Sequence, residues 1–111
     1  MKQNLKITKI KDILSNPELY AGKEVIIEAK FNGWNSPPNC DLNKTKAYLR
    51  SDTIIYDETS CIFISRNAEI YKFENKEFVK VAGLDPDLDV GAKIKVKAVV
   101  GLIDGKLILG K

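Results

Sequence analysis

Apolar residues change their period along the chain, and each change marks an element. Ile7, Ile10, Ile13 and Leu14 recur at three- and four-residue spacing between lysines, the pattern of a short amphipathic helix. Pro17 stands where a further turn can start and Gly22 where it can end. From residue 23 to 31 the period becomes two. Val25, Ile27, Ala29 and Phe31 share one face while Glu24, Glu28 and Lys30 share the other, which predicts a half-buried first strand. Residues 32–46 are crowded with Asn, Gly and Pro and read as a long loop, with Trp34 near its start.

Residues 48–56 and 61–66 read as two strands joined by the polar turn Asp57-Glu58-Thr59-Ser60. If those four residues make the turn, Tyr56 faces Cys61, Ile55 faces Ile62 and Ile54 faces Phe63. Ile55, Ile62 and Ile64 then share one side, and Ile54, Tyr56, Cys61 and Phe63 the other. Both sides are apolar or aromatic, so the core must cover one and something else, a ligand among the candidates, the other. Residues 70–73 and 78–81 flank Glu74-Asn75-Lys76-Glu77 as a small extra hairpin would. The strand 93–103 is turned by Asp104-Gly105 into a last strand, 106–109.

At 111 residues, with 44% hydrophobic and 30% charged side chains, the chain suits one domain spanning 1–111, a leading helix over 1–21 and a sheet over 22–111. Histidine is absent, which removes every mechanism that needs an imidazole. A net charge of +3 is too small to name a polyanionic partner by itself. The first sixteen residues hold no continuous apolar stretch of the kind a secretory leader needs, and no apolar run approaches the roughly 20 residues that cross a bilayer. No membrane partner and a cytoplasmic location are therefore expected. Cys40 and Cys61 then read as two reduced thiols, with a disulfide as the alternative. Asn43-Lys44-Thr45 is a sequon that means nothing without secretion.

The segments NPELYAGKEVIIEAKFNGW, RSDTIIYDETSCIFIS and LDPDLDVGAKIKVKAVV cover a little over half the chain. Together they resemble small stand-alone OB-fold proteins of the tRNA-anticodon-binding and single-strand-binding type, with Ser60 where an Asp-x-Thr-Gly turn would carry glycine. The resemblance implies an all-β fold, a five-stranded Greek-key barrel behind a short N-terminal helix, that binds single-stranded DNA or RNA on the face of its second and third strands.

Particular residues carry a binding surface of that kind. Lys93, Lys95 and Lys97 alternate with Ile94, Val96 and Ala98, setting three ammonium groups along one strand at roughly 6.6 Å intervals, near the spacing of successive phosphates. The competing reading makes them solvating lysines that block edge pairing. Arg50 and Arg66, the only arginines, stand near the ends of the central hairpin, where a guanidinium can clamp phosphate or stack on a base, unless Asp52 or Glu69 neutralises it. Tyr56 and Phe63 are diagonal neighbours and form a candidate stacking platform, or core if the faces are reversed. Trp34 and Tyr48 border the long loop, where a tryptophan can stack on a base or plug a barrel end.

Other apparent motifs fail. Gly101-x-x-x-Gly105-Lys106-Leu107 is one residue short of a phosphate-binding loop and lacks its hydroxyl. Asp85-x-Asp87-x-Asp89 places glycine and the last ligand wrongly for calcium. No metal, cofactor or catalytic constellation is expected. The chain reads as a single-stranded nucleic-acid-binding module, and the alternative is an assembly module that docks a protein partner on the apolar outer face of the central hairpin.

Overall fold

A computed structural model describes residues 7–37, 40 and 42–110. Two short helices, α1 (Ile10–Ser15) and α2 (Pro17–Tyr20), precede seven strands: β1 (Glu24–Phe31), β2 (Thr53–Tyr56), β3 (Cys61–Ile64), β4 (Glu69–Glu74), β5 (Glu77–Val81), β6 (Lys93–Ile103) and β7 (Lys106–Gly110). β1, β2, β3, β7 and β6 pair in that order, and β6 returns to β1, closing a five-stranded barrel. All pairings in it are antiparallel except β3 with β7. This is the expected OB-like all-β barrel behind a short N-terminal helix.

The period-two pattern fills the barrel. Val25, Ile27, Ala29 and Phe31 of β1 meet Ile94, Val96, Ala98 and Val100 of β6 with Ile55, Ile62 and Ile64 in one buried cluster. α1 closes one end with Ile10, Ile13 and Leu14, and burying three such side chains contributes roughly 5–8 kcal/mol before entropy is subtracted. No side chain of α1 caps its own first turn. Instead Asp57, in the β2–β3 turn, accepts the Ile10 N–H at 2.9 Å, and Thr59 accepts that of Lys11 at 3.1 Å. The helix starts later than the periodicity predicts, because Ile7 makes a parallel bridge to Ile26 and Thr8 donates to the Ile26 carbonyl.

The Greek-key crossover of the barrel is the extra hairpin. β4 pairs with the first half of β6 along the edge that β7 occupies further on, so β4 and β5 extend the sheet beyond the barrel. Asn75 and Lys76 form their turn at φ 48° and 69°, the left-handed pair that a two-residue hairpin requires.

Two expectations are corrected. The strand expected over 48–56 begins only at Thr53, because the buried Asp52 carboxylate accepts the N–H groups of Tyr48 and Leu49 at 2.7 and 2.8 Å and curls the preceding residues into a turn. The cysteines are not free: Cys40 and Cys61 form a disulfide with Cα atoms 5.7 Å apart.

Candidate nucleic-acid interface

What covers the second apolar side of the central hairpin is the chain itself. Ile54 and Cys61 are buried although they point away from the barrel interior. The long loop ties down at Cys40, where it is bonded to Cys61, and at Thr45. Thr45, itself buried, lies in the seam between β3 and β7, its hydroxyl donating to the Leu107 carbonyl and accepting the Phe63 N–H. Tyr48 fastens the far end of the loop by donating its hydroxyl to the Ile103 carbonyl at 2.7 Å, and its pKa is raised by burial and by the nearby Asp104. Tyr48 is thus a tether in the loop, and on the outer side of the hairpin Ile54 and Cys61 are buried while Tyr56 and Phe63 are half-buried.

Tyr56 and Phe63 keep the diagonal register that was expected, and neither is sealed in the core, both being half-buried. The loop is bonded to Cys61 and to the backbone N–H of Phe63. Tyr56 lines both a cleft of about 210 Å³ shared with Pro37, Cys40 and Cys61 and a groove of about 670 Å³ on the β1 flank with Lys30, Lys93, Glu28, Asp57 and Glu58.

That flank continues into a surface the sequence reading did not assemble. Tyr56 of β2 stands directly opposite Lys30 of β1, and Lys30 directly opposite Lys93 of β6. The Lys93 ammonium lies 5.0 Å from the centre of the Phe73 ring, and Phe73 pairs edge-to-face with Phe78 at 5.1 Å. A second row runs from Glu28 through Lys95 and Tyr71 to Lys80, with the Lys95 ammonium 4.6 Å from the Phe78 ring. Five strands lie side by side here, so the first row spans four strand intervals, roughly 19 Å.

The charges on this face sort themselves. Lys97 pairs with Glu24 at 3.9 Å and Lys80 with Glu69 at 3.1 Å. Glu69 also accepts the Tyr71 hydroxyl, which with Lys80 holds its carboxyl below the usual range, while the same bond raises the Tyr71 pKa. Lys30, Lys93 and Lys95 have no carboxylate within 4 Å among the described residues. β6 is paired on both sides over this stretch, so its lysines do not guard a sheet edge.

Trp34 and Arg66 come together elsewhere. They line a cleft of about 220 Å³ at the barrel end away from α1, over a floor of Phe31, Ile64 and Ile70. Trp34 does not plug the barrel. It is 56% exposed at the rim, with its indole N–H donated to the Arg50 carbonyl at 3.1 Å. Neither arginine has an ion pair among the described residues: Asp52 is engaged with backbone and Glu69 with Lys80 and Tyr71. The nine expected residues therefore divide into Tyr56, Lys93, Lys95 and Lys97 on one face, Trp34, Arg50 and Arg66 around the cleft, and Phe63 and Tyr48 with the loop.

Lys30, Tyr71, Phe73 and Phe78 are the additions. The signal for the two phenylalanines lay in the extra hairpin, since a two-residue turn at Asn75-Lys76 places them opposite each other. The chain matches no family model, no curated protein and no solved structure.

Proposed function

We propose that this protein is a non-catalytic module that binds single-stranded DNA or RNA across the outer face of β2, β1, β6, β4 and β5. Phosphates lie on Lys30, Lys93 and Lys95, and bases stack on Tyr56, Phe73 and Phe78, with little sequence preference. The observation that carries this reading is the unneutralised pair Lys30–Lys93. Like charges directly opposite each other on a sheet destabilise it, and here neither lysine has a described carboxylate within 4 Å, although Glu28, Asp57 and Glu58 line the same groove, while aromatic rings flank the pair on both sides. An incoming polyanion relieves that repulsion, and flat rings beside the cations suit its bases.

A fluorescent oligonucleotide titrated at low and moderate ionic strength tests the proposal. Binding that weakens with salt, disappears in the double variant Lys93→Glu, Lys95→Glu and falls about tenfold for Phe73→Ala is the expected result, since a stacked base is worth roughly 1–3 kcal/mol. Phe63→Ala serves as the control that leaves affinity unchanged. Absence of binding at low salt, or binding indifferent to the face variants, overturns the proposal. As for location, among the described residues no helix is long and apolar enough to cross a membrane. The Cys40–Cys61 bond is of the kind that persists in oxidising compartments and runs against a cytoplasmic setting.

A further inference from the structure

We infer that the barrel-end cleft between Trp34 and Arg66 is a separate binding site for a single nucleoside monophosphate. A cleft of about 220 Å³ is smaller than the sites that enclose drug-sized molecules, which start near 300 Å³, so it encloses one ring of a nucleotide and leaves the rest of the molecule at its open mouth. One wall is an exposed indole whose orientation is fixed twice over. Its N–H is bonded to the Arg50 carbonyl, and the turn presenting it passes through Gly33, at φ 64°, where a Cβ would lie 2.2 Å from the Pro86 carbonyl oxygen. A rigid, exposed indole face is a stacking surface already arranged for a flat partner.

The polar side of the cleft is anionic in its preference. Arg66 lines it without an ion pair, and the lining contains no carboxylate at all. Of the nearby acids, Asp85 accepts the N–H groups of Asp87 and Leu88, Asp89 accepts Lys72 and the Asp85 N–H, and Asp52 accepts the Tyr48 and Leu49 N–H groups through Oδ2 while its buried Oδ1 has no partner among the described residues. Ser51 and Thr53 also line the cleft, and neither hydroxyl bonds to another described residue. A guanidinium fork and two hydroxyls supply enough donors for the three terminal oxygens of a phosphate. The apolar floor of Phe31, Ile64 and Ile70 packs against the C5–C6 side of the pyrimidine, whose carbonyls and imide N–H stay toward solvent.

This site shares no lining residue with the lysine face and does not depend on it. Trp34 is the only tryptophan in the chain, so emission excited selectively at the indole, beyond tyrosine absorption, reads this cleft. Uridine monophosphate, uridine and inorganic phosphate are titrated separately into the 111-residue protein. The expected result is a saturable change with the monophosphate, with uridine and phosphate each at least tenfold weaker. Arg66→Gln reduces monophosphate affinity to that of uridine without altering the melting temperature, while Lys93→Glu with Lys95→Glu leaves it unchanged and abolishes oligonucleotide binding only. No saturable response to the monophosphate, an equal response to phosphate alone, or an undiminished response in Arg66→Gln overturns the inference.

Discussion

Gly33 shows how much one residue decides in this barrel. Its left-handed φ of 64° lets β1 leave the sheet, and its missing side chain lets the Pro86 carbonyl approach to where a Cβ would stand. Gly33→Ala therefore brings backbone strain and a clash with backbone together, and is expected to cost about 2–3 kcal/mol in urea unfolding. The same variant is expected to shift the Trp34 emission, since the indole is presented by that turn. Asp89 acts at the same scale through charge. Lys72, at 2.9 Å, and the Asp85 N–H hold its carboxyl below the ordinary aspartate range. A depressed folded-state pKa stabilises the native protein above the ordinary value, and that stabilisation is lost as pH falls through the folded one. Stability is thus expected to be flat from neutrality to about pH 4 as far as this group decides it, and to decline below, where aspartate in an unfolded chain protonates. Asp89→Asn should be less stable at neutral pH but show a shallower acid decline, read from thermal unfolding at a series of pH values.

Among the elements, the loop before β2 is the one whose role sequence patterns hid. Period-two positions disclosed β1, β6 and the inward sides of β2 and β3, because burial on one face of a strand leaves a mark at every second residue. The second apolar side of the hairpin was equally visible, but its cover was not. That cover comes from a Pro- and Asn-rich stretch without periodicity, held at points by a disulfide, a buried threonine hydroxyl and the Tyr48 hydroxyl, and such point contacts leave no pattern to read. The aromatic face was hidden for a related reason. Phe73 and Phe78 are local partners, yet their approach to Lys93 and Lys95 depends on β4 pairing with β6 across some twenty residues of chain, which local spacing does not specify. The disulfide closes a loop of 21 residues, a constraint on the unfolded chain worth roughly 3 kcal/mol. Cys40→Ser is accordingly expected to unfold at lower urea by about that amount. The untreated protein should lose the same stability on reduction, whereas the variant should be insensitive to reductant. Equal stability of the two proteins without reductant would show that the bond constrains nothing.

For the molecule as a whole, net charge and local charge give different expectations, and a salt titration separates them. With +3 overall and acids distributed over the surface, a featureless protein of this composition would bind a polyanion feebly and without a localised origin. The outer face of β1, β6, β4 and β5 instead concentrates three cations, Lys30, Lys93 and Lys95, with no described carboxylate within 4 Å, although Glu28 stands opposite Lys95 in register, beside two, Lys80 and Lys97, that Glu69 and Glu24 already hold. Only the unpaired lysines release counterions from a bound strand at full value, because a paired lysine must first give up its own carboxylate. For single strands each neutralised phosphate contributes about −0.7 to the slope of log K against log salt. Three such contacts give a slope near −2. Lys95→Gln should make that slope shallower by about 0.7 and weaken binding to all sequences alike, whereas Lys97→Gln should change it far less. A slope that responds equally to both substitutions would mean that the protein attracts nucleic acid through its general surface rather than through the lysines of this face that have no ion pair.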